Sequence, residues 1–63
     1  MKLYEKRKAA GLTQDAVAKE LNVTPSAVSQ WESGDTRPKI EYLPALARLY
    51  GCTIEELLRE DNG

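Results

Sequence analysis

The stretch Gln14–Trp31, QDAVAKELNVTPSAVSQW, constrains this chain most. It has room for two short helices and one tight turn. Thr13 stands where an N-cap hydroxyl is needed, and Asp15 follows in the first turn, where the helix dipole favours an acid. Val17, Ala18 and Leu21 fall on one face at helical spacing. Asn22 then supplies a residue that tolerates the left-handed backbone of a sharp turn, and Val23 plugs the corner. Thr24-Pro25 is the strongest start signal in the chain. The threonine caps, and proline at the first helical position has no N–H to leave unpaired. The pattern predicts helices over 14–21 and 25–33.

The same punctuation divides the remainder. A first helix is expected from about Lys2 to Ala10, with Leu3, Tyr4, Arg7 and Ala10 near one face and Gly11 ending it. Gly34 ends the third helix, whose Val28 and Trp31 face inward. After the loop Asp35–Lys39, a fourth helix is expected from about Ile40 to Tyr50. Its apolar stripe is Ile40, Leu43, Leu46, Ala47 and Tyr50. Pro44 requires that helix to begin close before it. Gly51 closes it. Thr53 and Glu56 have capping-box spacing, and a fifth helix to about Glu60 is expected to bury Ile54, Leu57 and Leu58, with Asp61 to Gly63 fraying. No segment alternates at period two, so the expected class is all-α, one compact five-helix domain over 1–63.

Composition narrows the chemistry. The chain has no histidine and one cysteine, Cys52. That removes the common zinc sites, an internal disulfide and most general-base or nucleophilic catalysis, so neither metal, cofactor nor enzymatic activity is expected. Cys52 is expected as a buried small hydrophobe in a reducing, cytoplasmic setting. No apolar run is long enough to span a membrane and no secretory signal is visible, so no membrane partner is expected. The net charge of −1 is distributed unevenly. Residues 1–39 carry seven Lys/Arg against five Asp/Glu, whereas residues 40–63 carry two against five. That split is compatible with one face meeting phosphates.

The combined pattern resembles the Cro/C1-type, or Xre-like, helix-turn-helix domain of phage repressors and bacterial transcriptional regulators. The resemblance runs from Leu3 to Leu58. It rests on Gly11-Leu12-Thr13-Gln14, Val17-Ala18, Leu21, Val23, Val28-Ser29, Trp31-Glu32, Gly34, Pro38, Leu43, Leu46-Ala47 and Gly51. It implies a lambda-repressor-like fold, with helices two and three forming the helix-turn-helix. Asn22 stands where the family often has glycine, and Ala16 where it often has an acid completing a capping box with Thr13.

On this resemblance the helix from Pro25 to Ser33 enters the major groove of double-stranded DNA. Ser26, Ala27, Ser29 and Gln30 are the candidate base-reading residues. Short side chains let a helix sit deep in a groove about 12 Å wide, and a glutamine pairs two-pronged with adenine N6 and N7. No arginine on this face grips guanine. Gln14, Thr24, Arg37 and Lys39 are the candidate backbone contacts, two at helix starts and two in the loop after the reading helix. Lys6 and Lys8 add long-range attraction. The resemblance also pairs Arg7 with Glu32, tying the first helix to the end of the third and neutralising an acid beside DNA. Trp31 is expected in the core, as a platform for the Gly34–Pro38 loop.

The expected function is sequence-specific binding to a palindromic operator half-site, as a homodimer, by a transcriptional regulator that acts as a repressor. Tyr42, Tyr50, Ile54 and Leu58 are in the region expected to supply the dimer contact. The alternative is a protein-interaction module, as in an antitoxin, with a protein partner. The acidic balance and the uncharged third helix keep that alternative open.

Overall fold

Short-range capping chemistry cuts the chain into helices, and a computed structural model of the protein, describing residues 1–59, shows where. The elements are α1 (Leu3–Ala9), α2 (Gln14–Leu21), α3 (Pro25–Ser33), a 3-10 turn (Ile40–Tyr42), α4 (Leu43–Tyr50) and α5 (Ile54–Leu58). No strand occurs among the described residues. The fold is the expected all-α arrangement of five helices.

Each predicted cap is present. Thr13 Oγ1 accepts the Ala16 N–H at 3.0 Å, and Thr24 Oγ1 accepts the Ala27 N–H at 3.2 Å. At Thr53 the box is reciprocal: its hydroxyl accepts from Glu56 N at 3.0 Å, and Glu56 Oε1 accepts the Thr53 N–H at 2.9 Å. The Thr53 N–H, and the Thr53 hydroxyl at 3.2 Å, donate to the Glu56 carboxylate and hold it below its ordinary value.

Asn22 occupies the left-handed region at φ 60°, the one non-glycine residue to do so among the described residues. The reversal lets the Val23 N–H reach back to the Ala18 carbonyl at 2.9 Å, a second bond to a carbonyl that also accepts from Asn22 N, which closes the end of α2. Val23 then lies partly buried against the core. The turn therefore sets how α3 leaves α2. Ala18 is 2% exposed between these helices, which are the most closely packed pair.

Behind them the centre of the core is Val17, Val28, Leu46 and Leu57, all essentially inaccessible, ringed by Leu3, Leu21, Leu43, Ala47 and Tyr50. Helix α4 is the central strut, packing against α1, α2 and α5. Burial pushes the Tyr50 phenol up to about 12.

Four expectations need correction. The fourth helix begins at Leu43, not Ile40. Pro44 has no N–H, and its ring would strike the Ile40 carbonyl in a continuous α-helix, so the preceding residues form a separate 3-10 turn. Ile40 consequently leaves the core and is 82% exposed. In α5 only Leu57 is buried. The helix has five residues, little more than one turn, so it presents one side chain squarely inward and leaves Ile54 and Leu58 at 37% and 45% exposure. In α1, Tyr4 is exposed and lies beneath the Arg7 guanidinium, 5.3 Å from its ring centroid, and Ala10 is exposed as the C-cap. Cys52 is half-buried rather than enclosed; that partial burial still raises its thiol pKa.

Helix α5 ends at Leu58, because Arg59 turns to extended backbone. The expected last residue Glu60, and the fraying expected for Asp61 to Gly63, lie outside the described residues.

Candidate nucleic-acid interface

Helix α3 is anchored from below and open above. Val28 is 1% exposed and Trp31 is partly buried, its ring 5.5 Å from that of Tyr42. Ser26, Ser29 and Gln30 are exposed, and Ala27 is half-buried. The solvent side of the helix is thus a row of short hydroxyls and one carboxamide, all uncharged. Such a row can donate and accept hydrogen bonds at base edges and presents nothing bulky to keep a groove wall away.

The start of α3 keeps donors in hand. Thr24 spends a hydroxyl lone pair on Ala27 N, which leaves its O–H as a donor. Pro25 contributes no N–H, so the Ser26 N–H is the first available from the helix itself. At α2, Thr13 takes the N–H groups of Ala16 and Val17 through its hydroxyl and its carbonyl. The N–H groups of Gln14 and Asp15 are the ones such a terminus leaves pointing outward. An open groove of about 520 Å³ lies at this terminus, lined by Arg7, Lys8, Gly11, Leu12, Thr13, Gln14 and Asp15. Asp15 opposes an anion there, while Lys8 favours one.

The loop after α3 is tied back to it. The Gln30 carbonyl accepts from Gly34 N at 3.1 Å, Thr36 N at 3.4 Å and the Ser33 hydroxyl at 3.1 Å. Gly34 makes the reversal at φ 90°. Pro38 is buried, pinning the far side of the loop, with Arg37 and Lys39 exposed on either side of it. A buried proline between two exposed cations limits the backbone freedom of the loop that carries them.

The interior face of the site is an ionic cluster. Arg7 Nε donates to Glu32 Oε2 at 2.6 Å and Nη2 donates to Glu32 Oε1 at 3.2 Å. Nη1 donates to the Leu12 carbonyl at 2.8 Å. The two charged side chains are 8% and 6% exposed, so this is a buried, bidentate pair. The hydrogen bond to Glu32 holds the Arg7 pKa above its ordinary value, against the cost of burial. Gln14 is half-buried and donates from Nε2 to Glu32 Oε1 at 3.0 Å. One carboxylate therefore joins the end of α3 to α1 and to the first residue of α2.

Sequence reasoning missed two of these links, Arg7 to the Leu12 carbonyl and Gln14 to Glu32. The second spans 18 positions and carries no local signal.

The sequence profile described as Helix-turn-helix matches residues 3–57. The HTH-type transcriptional activator BcrR of Enterococcus faecalis is 40% identical over 57 residues, 90% of this chain and 28% of that protein. The repressor protein C2 of Salmonella phage P22 is 35% identical over 60 residues, 95% of this chain and 28% of that protein. The HTH-type transcriptional regulator DicA of Escherichia coli K12 is 40% identical over 57 residues, 90% of this chain and 42% of that protein. This chain thus corresponds to less than half the length of each of these relatives. No solved structure matches it significantly. With its profile covering α1 to α5 and its turn built around Asn22, the chain belongs to the helix-turn-helix family, in the Cro/C1-type branch.

Proposed function

We propose that this domain binds double-stranded DNA in a sequence-specific manner and serves a transcriptional regulator, with α3 in the major groove of an operator half-site. The observation that carries this reading is the open face of α3. A nine-residue helix anchored through Val28 exposes Ser26, Ser29 and Gln30, with the capped start of α3 at one end and the Arg37–Lys39 loop at the other. Ser26, Ala27, Ser29 and Gln30 touch base edges. Gln14, Thr24, Arg37 and Lys39 touch the sugar-phosphate backbone.

A single domain reads only a few base pairs, so useful selectivity calls for two copies on a palindrome, with half-sites about one turn, roughly 34 Å, apart. The domain measures 31 × 24 × 21 Å, so two copies at that spacing come close to touching. The part-exposed Ile54 and Leu58 are the apolar side chains offered to such a homodimer contact. Occupying promoter DNA gives repression, the sense named for the phage relative, while the enterococcal relative is named an activator. The work is binding rather than catalysis, and its place is the cytoplasm, where the DNA is. Among the described residues no helix is long and apolar enough to cross a membrane.

Selection of bound duplexes from a random pool, followed by titration at several salt concentrations, tests the proposal. The expected outcome is a two-fold symmetric motif whose affinity falls steeply with salt. Flat, salt-independent titrations against every duplex would sink it. They would favour the second reading, a protein-interaction module of antitoxin type, for which the 82%-exposed Ile40 is the specific observation.

A further inference from the structure

The hydrogen bond between Gln14 and Glu32 has a use that a folding role for the ion pair leaves unexplained. The Arg7–Glu32 pair alone would tie α1 to α3. Gln14 adds a neutral donor to a carboxylate that Arg7 already neutralises. We propose that Glu32 is a positioning residue for DNA binding, orienting the Gln14 carboxamide so that its nitrogen, with one N–H committed to Glu32, offers the other N–H to a phosphate oxygen. This rests on the DNA-binding reading above.

The argument follows from donor and acceptor inventory. A carboxamide has one end that accepts and one that donates twice, and an unrestrained one turns either end toward a ligand. An ionised carboxylate accepts only, so Glu32 fixes which end of Gln14 is nitrogen. Glu32 Oε1 holds that nitrogen at 3.0 Å. The carboxylate itself is held by two Arg7 donors at 2.6 and 3.2 Å, and Arg7 is held by the Leu12 carbonyl at 2.8 Å. The chain Leu12–Arg7–Glu32–Gln14 therefore ends on a donor whose rotamer is chosen before DNA arrives. Arg7 cancels the charge of Glu32, so the carboxylate orients the donor without repelling the phosphate it serves. Ordering a long polar side chain in advance lowers the entropy cost of the contact.

A double-mutant cycle on DNA affinity tests this, using wild type, Gln14→Ala, Glu32→Gln and the double variant on the duplex selected for the wild type. Titrations are run at a temperature where circular dichroism shows all four folded. Glutamine at 32 keeps the volume but has one carbonyl oxygen to divide between Arg7 and Gln14. Gln14→Ala is expected to weaken binding roughly fivefold, the worth of one hydrogen bond, and Glu32→Gln to do about the same. The double variant is expected to bind within about twofold of the weaker single variant, because both changes remove the same contact. Losses that multiply to about 25-fold, or a Glu32→Gln variant that binds like the wild type, would overturn the positioning role.

The side-chain amide protons of Gln14 give a second readout in the wild type, where folding is not in question. On adding duplex, the proton bonded to Glu32 should keep its shift and the other should move. Return of the Glu32-bonded proton to a solvent-like shift would overturn the proposal. A wild type that binds no duplex would overturn both this role and the DNA-binding reading. Salt-dependent binding with multiplicative losses would overturn the positioning role alone.

Discussion

The Arg7 guanidinium meets the Glu32 carboxylate along two N–H···O lines of 2.6 and 3.2 Å, with both side chains less than a tenth exposed. Removing one partner leaves a buried charge without its counter-ion, which is far costlier than losing a surface pair. Arg7→Ala or Glu32→Ala should each lower stability by about 3 kcal/mol. For a domain of this size that corresponds to a midpoint more than about 10 °C lower. Thermal unfolding followed by circular dichroism measures it; an unchanged midpoint would remove the pair from the account of the fold.

The open face of α3 and the loop beyond it should separate cleanly in binding. Gln30→Ala should relax preference at one position per half-site, at about 1–3 kcal/mol for the favoured base. Lys39→Ala should weaken all duplexes alike and reduce the salt slope by about one. Parallel titrations of a preferred and a substituted duplex, each at several salt concentrations, distinguish these behaviours. If Gln30→Ala weakened both duplexes equally, its assignment to base reading would fail.

Tyr50 makes the fold sensitive to alkali. Its phenol is buried, and its pKa rises from 10.0 to about 12. A folded pKa above the unfolded one means that the folded state holds the proton more tightly. The associated stability is complete below pH 10 and is lost as pH rises toward 12. Two units correspond to about 2 to 3 kcal/mol. Tyr50→Phe should remove that part of the alkaline loss, so the stability gap between the two proteins should change between pH 10 and 12. A constant gap across that window would show that Tyr50 does not carry the effect.

Ile40 and Leu57 should respond very unequally to substitution. Leu57 is fully buried, and Leu57→Ala should cost about 2–5 kcal/mol through lost burial and a cavity. Ile40 is 82% exposed, and Ile40→Ser should change stability by less than about 0.5 kcal/mol. Urea unfolding of both variants checks the contrast. A large loss at Ile40 would mean that the residue is covered in solution, as a partner surface would be.

Asn22 offers a test of the turn itself. At φ 60° an L-residue with a Cβ is strained, and asparagine is among the few that tolerate it. Asn22→Ala should destabilise by about 1 kcal/mol, whereas Asn22→Gly should be neutral or slightly stabilising. Equal losses in both variants, measured by chemical denaturation, would indicate that the asparagine side chain matters more than the backbone.

The limits of α2 and α3 and the capped start of α5 were legible because their causes are local. A cap hydroxyl at Thr13, Thr24 or Thr53 reaches an N–H three residues on, and the reversals at Asn22, Gly34 and Gly51 depend on one residue's φ. The stop before Pro44 was legible too, as a requirement that the helix begin close by, although the 3-10 turn that meets it was not. The pairing of Arg7 with Glu32 came through the family resemblance, since 25 positions separate the two residues and no spacing rule connects them.

By itself, then, the sequence determined where α2 and α3 start and stop and which uncharged side chains α3 carries, because those features are decided within about one turn of chain. The tertiary structure alone decided that Gln14 shares a carboxylate with Arg7. That outcome depends on how α1, α2 and α3 cross, and a crossing angle is set by packing between distant residues rather than by any short stretch.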